Sequence, residues 1–183
     1  MARITKPVEI RRKEIIDAAK NLFIKEGFDN TAVSDIANHI NIASGLVYHY
    51  FKSKTELLYT VIDELVKEEA NIKKKIVAEH KGKVIECLTL LLSQKNTLAE
   101  KYGRLFQSLT NDQALKEYAE KRMISSLESA VVSFIERGNE DGSWNCHYPR
   151  ETADFLLFGI GGIHDYPEHV VSDILLRIFG KKT

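Results

Sequence analysis

Residues 31–58 read TAVSDIANHINIASGLVYHYFKSKTELL, and this stretch decides the fold. Val33, Ile36, Ala37 and Ile40 recur at helical spacing, with Thr31 as the expected N-cap of a short helix. Asn41-Ile42-Ala43 makes a tight break. A second short helix follows from about Ser44 to Tyr50. Val47 and Phe51 are its inward residues, while Ser44, Gly45, Tyr48 and His49 point elsewhere. Ser53-Lys54-Thr55-Glu56 is a capping box, with Ser at the N-cap and Glu three residues on, and it opens a long helix.

Two short helices with apolar faces and a tight turn between them form a helix-turn-helix. Such a pair holds one face on a core and offers small and polar residues to a DNA major groove. Its helix N-termini, near Thr31 and Ser44, present backbone N–H groups suited to phosphate oxygens.

Upstream, Ile15, Ala19, Leu22 and Phe23 place a helix over about Val8–Glu26, with Gly27 as its C-cap and Phe28 packing the turn. Downstream, Leu58, Ile62, Leu65, Ile72 and Ile76 give the long helix an apolar stripe to about Glu79. Further helices are expected over about Lys83–Leu92, Thr97–Ser108 and Asp112–Arg137, the last stopped by Gly138. After a polar loop, Pro149–Ile163 and Pro167–Phe179 follow, each with Pro in its first turn. The fold class is all-α: an N-terminal three-helix DNA-binding domain (residues 1–52) and a larger C-terminal helical bundle (residues 53–183).

The 183 residues carry no formal net charge. Residues 1–54, however, hold nine Lys/Arg against six Asp/Glu, while the remainder holds 17 basic and 20 acidic residues. A basic head on an acidic body fits one module that meets phosphate and one that does not. Cys87 and Cys146 form neither a CxxC pair nor a disulfide framework, which points to a reduced, cytoplasmic setting. The longest apolar run, Phe155 to Ile163, is too short to span a bilayer, and the charged N-terminus shows no signal peptide. No acid/base pair, metal set or cofactor motif stands out, so neither an enzyme nor a cofactor is expected.

Residues 12–58 resemble the DNA-binding domain of the TetR family of bacterial regulators. The resemblance lies in Ala18-Ala19, Leu22-Phe23, Gly27-Phe28, Thr31, Asp35-Ile36-Ala37 and, above all, the YHYFKSK run at Tyr48–Lys54 after Gly45. It implies phosphate contacts from Thr31 and Lys54, and contacts to phosphate or sugar from Tyr48 and Tyr50. It also implies a groove-facing Ser34, and Ser44, Gly45 and His49 beside the bases. Two departures, Ser44 for a frequent Lys and Leu46 for a frequent Thr or Ser, bear on sequence preference.

In the body, Phe155, Leu156, Leu157, Phe158, Ile160 and Ile163 cover nearly a whole helix. Val170, Val171, Ile174, Leu175, Ile178 and Phe179 do the same for the next. Helices apolar all round need burial on every side, and a second copy of the chain is an economical source of it. The expected homodimer interface comprises Phe155, Phe158, Gly162, Val171, Ile174, Leu175 and Ile178. The resemblance implies a four-helix interface here and an effector pocket in the body. Tyr102, Phe106, Tyr118, Trp144 and Phe155 either line such a cavity, for a small hydrophobic or aromatic effector, or fill a core. The expectation is a ligand-released repressor on palindromic double-stranded operator DNA. The alternative is a DNA-bound adaptor whose body binds a protein.

Overall fold

The computed structural model describes residues 6–80, 87, 95–162, 170, 173, 174 and 177. Every regular element among these residues is an α-helix: α1 (Val8–Glu26), α2 (Val33–His39), α3 (Ser44–Tyr50), α4 (Lys54–Glu79), α5 (Lys95–Asn111), α6 (Gln113–Glu140) and α7 (Pro149–Gly162). The expected helix over Lys83–Leu92 lies outside the described residues apart from Cys87. Of the expected Pro167–Phe179 helix, only Val170, Asp173, Ile174 and Arg177 are described, and they are helical.

The chain divides into two compact units, Met1–Leu65 with Leu98–Lys116, and Val66–Thr97 with Glu117–Thr183. In the first unit, the inward faces read from periodicity are buried: Ile15, Ala19 and Phe23 on α1, Ile36 and Ala37 on α2, Val47 on α3, and Leu58 and Ile62 on α4. Gly27 ends α1 at φ 88°, in the left-handed range that favours glycine, and its N–H donates to the Phe23 carbonyl at 3.0 Å. Phe28 then turns edge-on to Phe23, with 5.4 Å between ring centroids.

Four expectations need correction. Thr31 does not cap α2. Ala32 holds that position, its N–H donates to Asp35 Oδ2 at 2.7 Å, and the buried Thr31 hydroxyl turns back to the Gly27 carbonyl at 2.8 Å. The apolar stripe of α4 is narrower than periodicity suggests, because Ile72 is 41% exposed. Helix α5 is longer than expected and kinked at Gly103 (φ 47°, ψ −125°), where a Cβ would come within 2.8 Å of the Ile24 carbonyl oxygen. Gly138 does not stop α6, which continues to Glu140.

In the second unit, Val77, Cys87, Phe134, Ile135, Trp144, Ala153 and Leu156 form a buried cluster. Trp144 anchors the loop after α6: its indole N–H donates to the Ile135 carbonyl at 2.9 Å, and its ring lies 5.4 Å from that of Phe134. The Asn139 side chain both receives the Cys146 N–H (2.7 Å) and donates to the Cys146 carbonyl (2.8 Å), which closes the same loop. Burial pushes the Cys87 thiol up to about 11, so it stays protonated at neutral pH and behaves as a small apolar side chain. No helix among the described residues is long and apolar enough to cross a membrane.

Candidate nucleic-acid interface

The turn between α2 and α3 is set by backbone geometry. Asn41 adopts φ 54°, its N–H donates to the Asn38 carbonyl (3.1 Å), and the Ile42 N–H donates to the Ala37 carbonyl (2.9 Å). This is a Schellman ending, with Asn in the position glycine usually fills. It satisfies the last carbonyls of α2 and redirects the chain within two residues into α3.

Helix α3 is seven residues long and buries Val47; Phe51, just past its end, is buried with it. That anchorage turns the rest of the helix outward. Gly45 and His49 are exposed, Tyr48 is 53% exposed, and Ser44, Leu46 and Tyr50 are half-buried. An aromatic phenol held in water by a short, well-anchored helix costs apolar burial and suits a surface that meets a partner. Tyr50 packs edge-on against His49 at 5.4 Å, which steadies both rings. Ser34 on α2 is exposed. Space around Gly45 is open, so its lack of a side chain is not forced by packing within the chain.

The capping box at the start of α4 forms. Ser53 Oγ accepts the Glu56 N–H at 3.0 Å, while Glu56 Oε2 accepts the Lys52 N–H at 2.7 Å, one residue earlier than in the usual box. Lys54 is half-buried, with its ammonium 4.1 Å from the centroid of the Phe28 ring. Arg12 lies over the Phe51 ring at 5.1 Å.

Several other cations of the head are engaged with neighbouring acids. Lys6 and Arg11 both pair with Glu14 and hold its carboxyl below the usual range, and Lys13 pairs with Asp17 at 3.1 Å. The positive excess of this segment is therefore partly neutralised along α1, and the exposed part of α3 is mostly uncharged.

The structure brings together Ser34, Ser44, Gly45, Tyr48, His49, Tyr50 and Lys54 around one helix-turn-helix. Thr31 sits beneath it at 2% exposure with its hydroxyl used internally. Of the five central aromatics, Tyr102 and Phe106 belong to the first unit, and Tyr118, Trp144 and Phe155 to the second. Tyr102 and Trp144 are buried, Phe106 and Tyr118 are half-buried, and Phe155 is 67% exposed. An open groove of about 420 Å³ in the first unit is lined by polar groups instead, among them Glu26, Asp29, Arg104, Gln107 and Asp112.

A family described as "Bacterial regulatory proteins, tetR family" matches residues 15–61, a span that runs from the core of α1 through α2 and α3 into α4. Over this N-terminal span the chain is similar to that family. The transcriptional regulator TtgR of Pseudomonas putida is 30% identical over 95 residues, or 51% of this chain and 45% of that one. The transcriptional repressor KstR2 of Mycobacterium tuberculosis is 39% identical over 67 residues, or 37% of this chain and 32% of that one. The chain thus spans less than half the length of these relatives. The crystal structure of RolR in complex with resorcinol has the same fold at a TM-score of 0.66 and 18% identity, over 95% of this chain and 89% of that one.

Proposed function

We propose that this chain is a tetR-family transcriptional repressor that binds a palindromic operator as a homodimer and is released by a small hydrophobic or aromatic ligand. The observation that carries the DNA reading is α3 itself, anchored by Val47 and Phe51 and presenting Gly45, Tyr48 and His49 to solvent. Residues 1–52 are the DNA-binding domain in this reading, and residues 53–183 bind effector and partner subunit. Tyr48, Tyr50 and Lys54 contact phosphate, Ser34, Ser44, Gly45 and His49 face the groove, and Thr31 braces the turn under them. KstR2 is a repressor by name, and RolR has been solved with a small aromatic ligand; both support the reading by analogy.

The body supports a dimer. Ala153 and Leu156 bury one side of α7, while Phe155 and Phe158 stand 67% and 65% exposed on it. Large apolar side chains left together in water mark an interface. The release mechanism rests on α4, one continuous helix of 26 residues and about 39 Å at 1.5 Å per residue. A ligand that favours one tilt of this rod shifts the DNA-competent population by its differential affinity for the two states.

Selection of bound fragments from random DNA tests the reading. A palindrome with half-sites about one helical turn, or a multiple of it, apart is expected. Enrichment of no sequence at all, at any salt concentration, contradicts it.

A further inference from the structure

The last turn of α6 carries a cation whose binding edge is half used. Arg137 is half-buried, and its Nη2 donates to the Val77 carbonyl at 3.1 Å. Its Nε–H is shut off from solvent and meets no acceptor. Among the described residues, no carboxylate lies within ion-pair distance of it. Glu128 is taken by Arg150, and Asp141, near enough to feel the guanidinium charge, accepts from the Ser143 hydroxyl and N–H.

A guanidinium presents Nε–H and Nη2–H side by side, a fork matched to a carboxylate. Arg150 shows that use within the same unit: its Nε and Nη2 reach Glu128 Oε1 at 3.3 and 3.0 Å. In Arg137 the same fork holds one neutral carbonyl. Its surroundings are apolar, with the Phe134 ring 5.9 Å away and Val77, Cys87 and Trp144 in the adjoining cluster. A buried donor left unpaired, on a charge with no ion-pair partner among the described residues, is a cost the fold carries and an anion removes.

We propose that Arg137 anchors the carboxylate of a small effector whose apolar body lies against the Phe134–Trp144 cluster. This names the class of ligand for the repressor reading above and rests on that reading for its effect on DNA. Val77 supplies one of the last four carbonyls of α4, groups with no partner inside the helix. Arg137 caps it. A carboxylate that takes both Nε and Nη2 draws that cap away, so ligand binding acts directly on the end of α4.

Calorimetric titration of the full chain with octanoate and octanamide, and with benzoate and benzamide, tests this. At least one acid is expected to bind tenfold or more tighter than its neutral amide. Arg137→Gln is expected to erase that preference and Arg137→Lys to keep part of it. Thermal melts report whether each variant folds, and the acid-against-amide comparison on the unaltered chain stands without them. Equal binding of acid and amide, no binding of either acid, or an undiminished acid preference in a folded Arg137→Gln overturns the proposal. A second arm adds labelled operator. An acid that binds through Arg137 but leaves operator affinity unchanged upholds the site and contradicts the release mechanism. A neutral compound that releases operator while neither acid binds upholds release and overturns the site.

Discussion

A Cβ placed on Gly138 would lie 1.8 Å from Trp144 Cζ2 and 1.9 Å from its Cε2. The indole therefore lies directly against the backbone of the last turn of α6, and only glycine leaves room for it. The backbone N–H of Trp144 also donates to the Gly138 carbonyl at 3.3 Å.

Gly138→Ala separates this packing demand from helix propensity. In an open helix the change stabilises by roughly 1 kcal/mol. Here it is expected to destabilise by about 1–3 kcal/mol, the usual cost of overpacking, because both the helix turn and the hydrogen-bonded indole resist displacement. Urea unfolding followed by the fluorescence of Trp144, the one tryptophan of the sequence, measures it. An unchanged or raised midpoint contradicts the packing account.

Asn41 offers the complementary case, a residue with a Cβ held at positive φ. Asn41→Gly is expected to preserve or slightly raise stability, because glycine meets φ 54° without strain. Asn41→Val is expected to cost on the order of 1–2 kcal/mol, the penalty of the left-handed region for a residue with a Cβ, raised by its branching. The same unfolding measurement reads both, and equal midpoints for the two variants contradict the turn geometry described.

The helices of the head follow from periodicity and caps: Ile15, Ala19 and Phe23 share one face, and Ser53 with Glu56 announces α4, because both signals are local. Thr31 misled because a Thr before an apolar run satisfies the N-cap pattern, yet its hydroxyl finds the Gly27 carbonyl first. Gly138 misled for a similar reason. A glycine near a helix end reads as a stop, and only the tertiary position of Trp144 shows that it is a seat for a ring. Gly103 gave no local warning, since its kink answers to the approach of the Ile24 carbonyl, 79 positions earlier in the numbering. Arg137 was hidden for the same cause: on a helical pattern it reads as one more surface cation.

Phe155 and Phe158 are exposed on α7, and the dimer reading turns on them. Phe158→Asp is expected to convert a stable dimer to monomer or aggregate, because a carboxylate in the core of an apolar interface must be desolvated without a partner. Light scattering at micromolar concentration measures it, alongside Ser125→Asp as a control on the exposed face of α6. A wild-type monomer, or a Phe158→Asp dimer as tight as wild type, contradicts the interface.

The central claim is that α3 and its surroundings hold DNA, and fluorescence anisotropy with a selected operator and a scrambled duplex tests it most directly. Tyr48→Ala is expected to weaken both complexes by a similar factor, about tenfold for one lost phosphate hydrogen bond of roughly 1–1.5 kcal/mol, since phosphate contacts carry no base information. Wild-type affinity is expected to fall steeply as salt rises, as counterion release requires. A Tyr48→Ala chain that binds the operator as tightly as wild type, or an affinity that does not change with salt, contradicts the account.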